Sequence, residues 1–383
     1  MQAVKARRAV ATIFFLLGTL IGIWASRIPD IKAVLGLDEA GFGLVLLAMA
    51  LGAFFAFPIV GRQIDRIGAA RMARWLAVLT LLLFVSLAAG TTVRIMVPLA
   101  FVAGFMIGAL DIAMNAWGAE VEQALRKPVM SSYHGLYSLG AGVGAAAGAG
   151  AIRLGLSVPQ HFVIWGLLMA LMLAFALRVP WTSERQAPEK RKGPLLALPK
   201  GALFFVGIMA LIAALGEGAV TDWAAVYQIE ELGFGSSQSA IGFALFSVAM
   251  VIMRLSGDRL IARYGPVPVA RLSGLAAAVG ALFLVLGSHI WLIWVGCVVM
   301  GLGNAVIFPL AMSRAAADPV MSKGTALAAV ATLGYGAFLF GPPVLGFIGT
   351  AVSLRAAFGL VAALAIFIFL LAGALKVERP DGT

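Results

Sequence analysis

Twelve times between Ala9 and Leu375 the sequence runs through about twenty apolar residues before charge, proline or glycine interrupts it. At 1.5 Å per residue, a helix of that length crosses the roughly 30 Å hydrocarbon core of a bilayer. The expected spans are 9–33, 39–61, 72–90, 95–117, 132–152, 161–179, 202–230, 238–257, 267–287, 290–312, 324–350 and 354–375. Only 12% of the 383 residues are charged and the mean hydropathy is +1.02, whereas a soluble domain carries about 25% charged residues. The runs are also too long for the ~10-residue alternating strands of an outer-membrane barrel. The sequence therefore predicts an all-α membrane protein of twelve transmembrane helices. The single cysteine, Cys297, falls inside a span, so no disulfide framework is expected.

The first 26 residues imitate a secretory signal, with Lys5, Arg7 and Arg8 ahead of an apolar run. That run is longer than a usual signal core and Trp24 interrupts a small-residue cleavage site, so it reads as a retained first helix. With both termini placed in the cytoplasm of a bacterial cell, 23 of the 28 Lys and Arg residues fall on the cytoplasmic side. Only Arg27, Lys32, Arg94, Arg153 and Arg355 are left outside. That asymmetry is the positive-inside rule, and it accounts for a net charge of +11 without a nucleic-acid partner. The expected location is the inner membrane, multi-pass.

The longest polar stretch, 181–200, separates two sets of six spans, at 1–180 and 201–383. The two halves repeat. LGAGVG (139–144) matches LGYGAF (333–338) at an offset of 194. Gly104, Gly108, Asp111 and Asn115 in span four share their spacing with Cys297, Gly301, Asn304 and Phe308 in span ten, at an offset of 193. Charged turns recur as GRQIDRIG (61–68) and GDRLIARYG (257–265). The expected architecture is two pseudo-symmetric six-helix bundles.

Chemistry concentrates in span seven, where LGEGAVTDWAAVY (215–227) carries Glu217 and Asp222. A charge at bilayer depth costs about 3 kcal/mol on insertion scales, so such residues point to function. Five residues turn a straight helix by about 500°, leaving the two carboxylates some 140° apart. Unless the helix unwinds at Gly216 and Gly218, Glu217 faces the cavity and Asp222 lies nearer an outer gate. In span four, Asp111 and Asn115 share a face. They read either as a proton or substrate site or as structural glue, with Arg254 the nearest cation by depth. Asn304 is their neutral counterpart. Trp24, Trp223, Tyr227 and Tyr335 are candidate cavity aromatics, able to stack on sugar faces or heteroaromatic rings. GAGVGAAAGAG (140–150) lacks the preceding strand and following acid of a dinucleotide loop, so it reads as close helix packing. Pro342 and Pro343 are expected to kink span eleven. His161 and His289 fall in outer loops.

Twelve spans, a basic central loop and GRQIDRIG after span two resemble the major facilitator superfamily over the whole chain. Gly61, Asp65, Arg66 and Gly68 match its signature, while Ala69 and Ala70 stand where basic residues are usual and Arg71 follows. GEGAVTDWAAVY, SSYHGLYSLG (131–140), GDRL and GPPVLG (341–346) resemble the fucose-permease-like branch and its bacterial inner-membrane relatives. The resemblance implies that Asp65 faces the N-terminus of span eleven, whose dipole favours an anion. Arg66 or Arg71 would pair with Glu120 or Glu122 to lock one state, and Asp258 and Arg259 would be the equivalents in the second half. Ordinary loop charge is the alternative for all of these. His134, between Tyr133 and Tyr137, is either a packing residue or a proton relay. Span five lacks the Gly-Pro pair usual in drug antiporters of the superfamily, which points toward uptake.

The implied function is secondary active transport of a small polar solute, sugar-like or a vitamin-like heteroaromatic, by alternating access with proton symport. A proton-driven exporter and a non-transporting receptor are the alternatives. No HExxH or Walker motif is present, so neither enzyme chemistry, a metal nor a cofactor is expected. The bilayer and protons are the other partners, and the chain is expected to be a monomer.

Overall fold

A computed structural model describes residues 2–37, 39–183, 198–234 and 236–377. Most of the polar stretch expected to link the halves, and the end of the C-terminal tail, lie outside the described residues. Among those described the structure is helical throughout. In chain order the α-helices are α1 (Gln2–Leu35), α2 (Glu39–Ile67), α3 (Ala69–Ser86), α4 (Val93–Leu125), α5 (Met130–Arg153) and α6 (Val158–Arg178). They continue as α7 (Ala202–Gly218), α8 (Ala224–Glu230), α9 (Ser236–Tyr264), α10 (Pro266–Leu286), α11 (Ile290–Asn304), α12 (Ile307–Ala316), α13 (Lys323–Ala351) and α14 (Leu354–Leu371). Together they supply 12 stretches long and apolar enough to cross a membrane.

Two of those stretches are interrupted. The seventh, Ala202–Glu230, runs through a π-helical turn at Ala219–Trp223, between α7 and α8. The tenth, Ile290–Ala316, breaks between α11 and α12 at Ala305 and Val306. The π-turn relocates the expected hinge: α7 is regular through Gly216 and Gly218, and the irregularity follows them. α13 is assigned without a break across Pro342 and Pro343.

The charged turns are helix ends rather than loops. α2 continues through Asp65 to Ile67, and α9 through Asp258 to Tyr264. Charged residues are ordinary helix formers once the apolar demand ends. What stops each helix is a glycine with positive φ, Gly68 at 95° and Gly265 at 84°, a conformation that side chains resist.

The chain packs as two compact units. The first comprises Met1–Arg126, Leu136–Ala197 and Ser322–Ala328, and the second Lys127–Gly135, Leu198–Met321 and Ala329–Thr383. In the first unit α4 crosses α2 where a Cβ on Gly104 would overlap the Met49 carbonyl and one on Gly108 would meet Ala53. The second unit repeats this crossing between α11 and α9 at an offset of 193. Gly301 sits on Phe246, and Gly242 lies beside the Cys297 sulfur. The run at 140–150 packs as its composition predicts, with Gly140 on Phe15 and Gly144 on Thr19 of α1. Small residues let backbones approach this closely, which is how helices associate where lipid removes the hydrophobic drive.

Candidate functional site

In the second unit the last turn of α7, just before the π-turn, and the break after α11 meet one cation. Arg254 of α9 donates from its Nη2 to Glu217 Oε2 at 3.1 Å and from Nε to the Ala305 carbonyl at 3.2 Å. Pro309, four residues on, has no N–H to give that carbonyl, and Arg254 satisfies it instead. The Arg254 side chain is 9% exposed and that of Glu217 31%, so the carboxylate is the open member of the pair. Gly216 makes the approach possible, because a Cβ there would lie 2.9 Å from the Asn304 side-chain oxygen. Asn304 itself is buried and donates to the Met300 carbonyl.

An aromatic wall adjoins this pair. His134 and Phe308 have ring centroids 5.8 Å apart, Phe308 and Tyr335 5.2 Å, and Tyr335 and Phe338 5.9 Å. Of the other aromatic residues named from sequence, Tyr227 is fully buried, with its hydroxyl on the Leu284 carbonyl and its ring against Phe358. That is a packing position rather than a cavity lining. Trp223 lies against Gly346 of α13. Asp222 is exposed in the π-turn and makes no hydrogen bond or ion pair among the described residues. An i→i+5 turn winds more slowly than an α-turn, so it narrows the wide separation expected between Glu217 and Asp222.

Two further carboxylates hold helix N-termini. In the first unit Asp65 accepts from Ser322 Oγ at 2.5 Å, from the Gly324 amide at 3.1 Å and from Thr325 Oγ1 at 3.4 Å, at the start of α13. In the second unit Asp258 accepts from the amides of Ser131 and Ser132, both at 2.9 Å, and from the Ser132 hydroxyl, at the start of α5. Each takes amides that a first helical turn leaves without partners, at the positive end of the helix dipole. Asp65 and Asp258 are 193 residues apart, as are Ser131 and Gly324. The offset read from span four thus fits both the equivalence of Asp65 and Asp258 expected from the sequence and that of the helix starts they hold, Gly324 and Ser131.

The expected partners of Glu120 are replaced. Arg66 and Arg71 are exposed and form no ion pair among the described residues. Glu120 instead accepts from Trp181 Nε1 at 2.9 Å and faces Lys323 Nζ at 3.8 Å. The reason is geometric: with α2 helical to Ile67 and α3 starting at Ala69, no loop remains to carry those arginines inward. Arg259 is likewise exposed. Gly61 is placed so that an added Cβ would lie 2.6 Å from the Gly324 carbonyl.

Elsewhere in the first unit Asn115 Nδ2 donates to the Asp111 carbonyl and to its Oδ1, at 2.9 and 3.3 Å. Trp24 lines a small apolar cavity of about 20 Å³ with Leu20, Met49, Phe84 and Ile107, room for about one water and not for a solute. His161 is no loop residue. It lies in the first turn of α6, buried, with Nδ1 accepting from Arg27 Nε at 3.3 Å.

Comparison with known proteins agrees with this arrangement. The family model for the Major Facilitator Superfamily matches residues 10–319. An uncharacterized transporter, y4wD, of Sinorhizobium fredii is 41% identical over 369 residues, covering 96% of this chain and 98% of its own length. An uncharacterized MFS-type transporter of Yersinia pestis is 32% identical over 363 residues, covering 95% and 93%. Among solved structures, the Escherichia coli fucose:proton symporter FucP superposes with a TM-score of 0.72 at 16% identity, covering 97% of this chain and 98% of that one. The human organic anion transporter MFSD10 gives 0.73 at 17% identity, covering 96% and 99%. At such identities the structures share the fold alone. With twelve membrane-spanning helices and a family match over most of its length, the chain is a multi-pass membrane transporter, not an enzyme, and belongs to the major facilitator superfamily.

Proposed function

We propose that this transporter is a proton symporter in a bacterial inner membrane, with both termini cytoplasmic, and that it carries a small polar ring compound by alternating access. The observation that carries the reading is the Glu217–Arg254 pair, held between the last regular turn of α7, just before the π-turn, and the break that follows α11. While Glu217 is ionised it binds Arg254. A proton on the carboxylate removes the charge that holds the guanidinium and leaves Arg254 on the Ala305 carbonyl, so loading a proton changes what the α7 turn is tied to. A buried cation left without its carboxylate is costly, about 3–5 kcal/mol where both partners are fully buried. Release of the proton is therefore favoured once the site reaches the less acidic side.

The wall of Phe308 and Tyr335, with His134 beside it, offers flat apolar faces with the Tyr335 hydroxyl and the imidazole as polar groups. That chemistry suits a sugar ring or a vitamin-like heteroaromatic ring. Asp111 and Asn115 supply a second polar pair in the first unit. Asp65 and Asp258 act as clamps, each releasing a helix start as access alternates.

The test is proteoliposome uptake, with an internal pH dye, across a panel of hexoses and vitamin-like ring compounds. A substrate of the wild type should drive proton entry, and Glu217→Gln should bind it without coupled proton movement. Coupled uptake surviving in Glu217→Gln would overturn the assignment.

A further inference from the structure

Between α6 and the polar stretch that follows, residues 179–183 are pinned to the first unit along their whole length. Arg74 Nη2 donates to the Val179 carbonyl at 2.6 Å, and Gln2 Nε2 to the Pro180 carbonyl at 2.9 Å. Trp181 Nε1 donates to Glu120 Oε2 at 2.9 Å, and Ser183 Oγ accepts from the Ala70 amide at 2.9 Å. The last bond completes α3. Its N-cap residue, Gly68, has no side chain to offer, so Ser183 supplies the acceptor that an N-cap serine ordinarily would. Arg74 is itself held, with its guanidinium 4.9 Å above the Trp117 ring. α1, α3 and α4 thus share one short strap.

The strap also reaches α13. Glu120 binds Trp181 through one oxygen and faces Lys323 through the other. Lys323 lies between Ser322 and Gly324, the two residues that Asp65 holds most closely. Glu120 is buried, so its charge acts in a medium that screens it less than water does. Removing the indole N–H takes from that carboxylate the donor that holds Oε2, and so weakens its orientation toward Lys323.

We propose that Trp181 is a positioning residue for the Asp65 clamp: by orienting Glu120 toward Lys323, the strap sets how often the first turns of α13 come free. This rests on the reading of Asp65 as a clamp that opens. It adds that the segment leaving α6 controls the opening, through Glu120.

Hydrogen exchange of the purified full-length protein tests it, since exchange of a helix-start amide reports the population of its open form. The readout is residues 322–328, with residues 130–136 at the Asp258 clamp as the internal reference. Trp181→Phe keeps the ring and loses only the N–H. It should speed exchange at 322–328 by about three- to tenfold, the weight of one ordinary hydrogen bond, because the loss reaches the clamp only through Glu120, and it should leave 130–136 unchanged. Glu120→Gln should do the same and serves where the tryptophan variant folds poorly. Asp65→Asn is the control for the clamp. If Asp65→Asn speeds exchange at 322–328 while Trp181→Phe and Glu120→Gln do not, the strap has no hold and this inference fails alone. Equal acceleration at both segments would also overturn it, because that marks general loosening. If Asp65→Asn has no effect, the clamp itself is refuted, and the strap with it.

Discussion

The two carboxylate clamps occupy the same place in the repeat and hold their helices differently. Asp258 takes two backbone amides and a hydroxyl, whereas Asp65 takes one amide and two hydroxyls. Their surroundings differ more. Asp258 lies one turn beyond Arg254 on α9, and Ser131 Oγ donates to the Arg254 carbonyl at 2.6 Å. That clamp is thus continuous with the ion pair proposed to load the proton. Asp65 is continuous instead with Lys323, Glu120 and Trp181 at the edge of the first unit. The repeat places a carboxylate at a helix start in both units, but ties one to Arg254 and the other to Lys323, Glu120 and Trp181. If both copies open in one transport cycle, the second is biased by protonation and the first by the chain leaving α6.

The comparison breaks most readily at Arg254. Arg254→Ala removes the partner of Glu217 and the donor to Ala305 together, leaving a partly buried carboxylate and an unpaired carbonyl. Losing one partner of a fully buried pair costs about 3–5 kcal/mol, and Glu217, at 31% exposed, retains some hydration, so about 2–3 kcal/mol is expected here. The measurement is the unfolding midpoint of the purified protein in detergent, with exchange at 130–136 alongside. Because Ser131 binds the Arg254 backbone rather than its side chain, the clamp should stay protected while the protein as a whole loses stability. Exchange rising at 130–136 beyond the global loss would mean that the side chain also supports the clamp.

Next in size are the clamps themselves. An amide side chain offers one acceptor oxygen and no charge, so each Asp→Asn change should cost about 1–3 kcal/mol of local stability. Asp258→Asn should cost more than Asp65→Asn. It strands a backbone amide, whereas the hydroxyls around Asp65 can turn to each other, as Ser322 Oγ already does with Thr325 Oγ1 at 2.7 Å. Local exchange at 130–136 and 322–328 ranks the two, and the reverse order would show that charge, not amide satisfaction, dominates.

How much of this was legible in the sequence follows from what each feature depends on. Span number and the two-bundle repeat depend on apolar length and on small-residue spacing, both written locally. Glu217 stood out because a carboxylate in an apolar run is anomalous on its own. Its partner did not, because Arg254 was read as a possible match for Asp111 by depth alone, and depth says nothing about which helix faces which. Tyr227 shows the same limit: its polar tip is satisfied by a carbonyl 57 residues away, and a tyrosine facing a cavity has the same local sequence. The Glu120 contacts were missed because GRQIDRIG reads as a loop. In the structure the helix runs on through that stretch to Ile67, and Gly68 stops it.

The smallest effect tests the close approach at the first clamp. A Cβ at Gly61 would lie 2.6 Å from the Gly324 carbonyl and 2.7 Å from the Ala328 Cβ, both fixed by α13. At Gly257, in the last turns of α9, the nearest atoms are Ser131 Oγ and a Val306 methyl, each at 2.6 Å, and these are side-chain ends. Overpacking costs about 1–3 kcal/mol where nothing can move, and alanine gains roughly 0.5–1 kcal/mol over glycine within a helix. Gly61→Ala should therefore destabilise by about 1 kcal/mol net. It should also loosen 322–328, because α13 has to back away from α2. Gly257→Ala should come out nearer to neutral if Ser131 can rotate, but that rotation breaks its bond to the Arg254 carbonyl. A Gly257→Ala variant as costly as Gly61→Ala would mean that this one hydroxyl bond holds the second clamp as firmly as backbone contact holds the first.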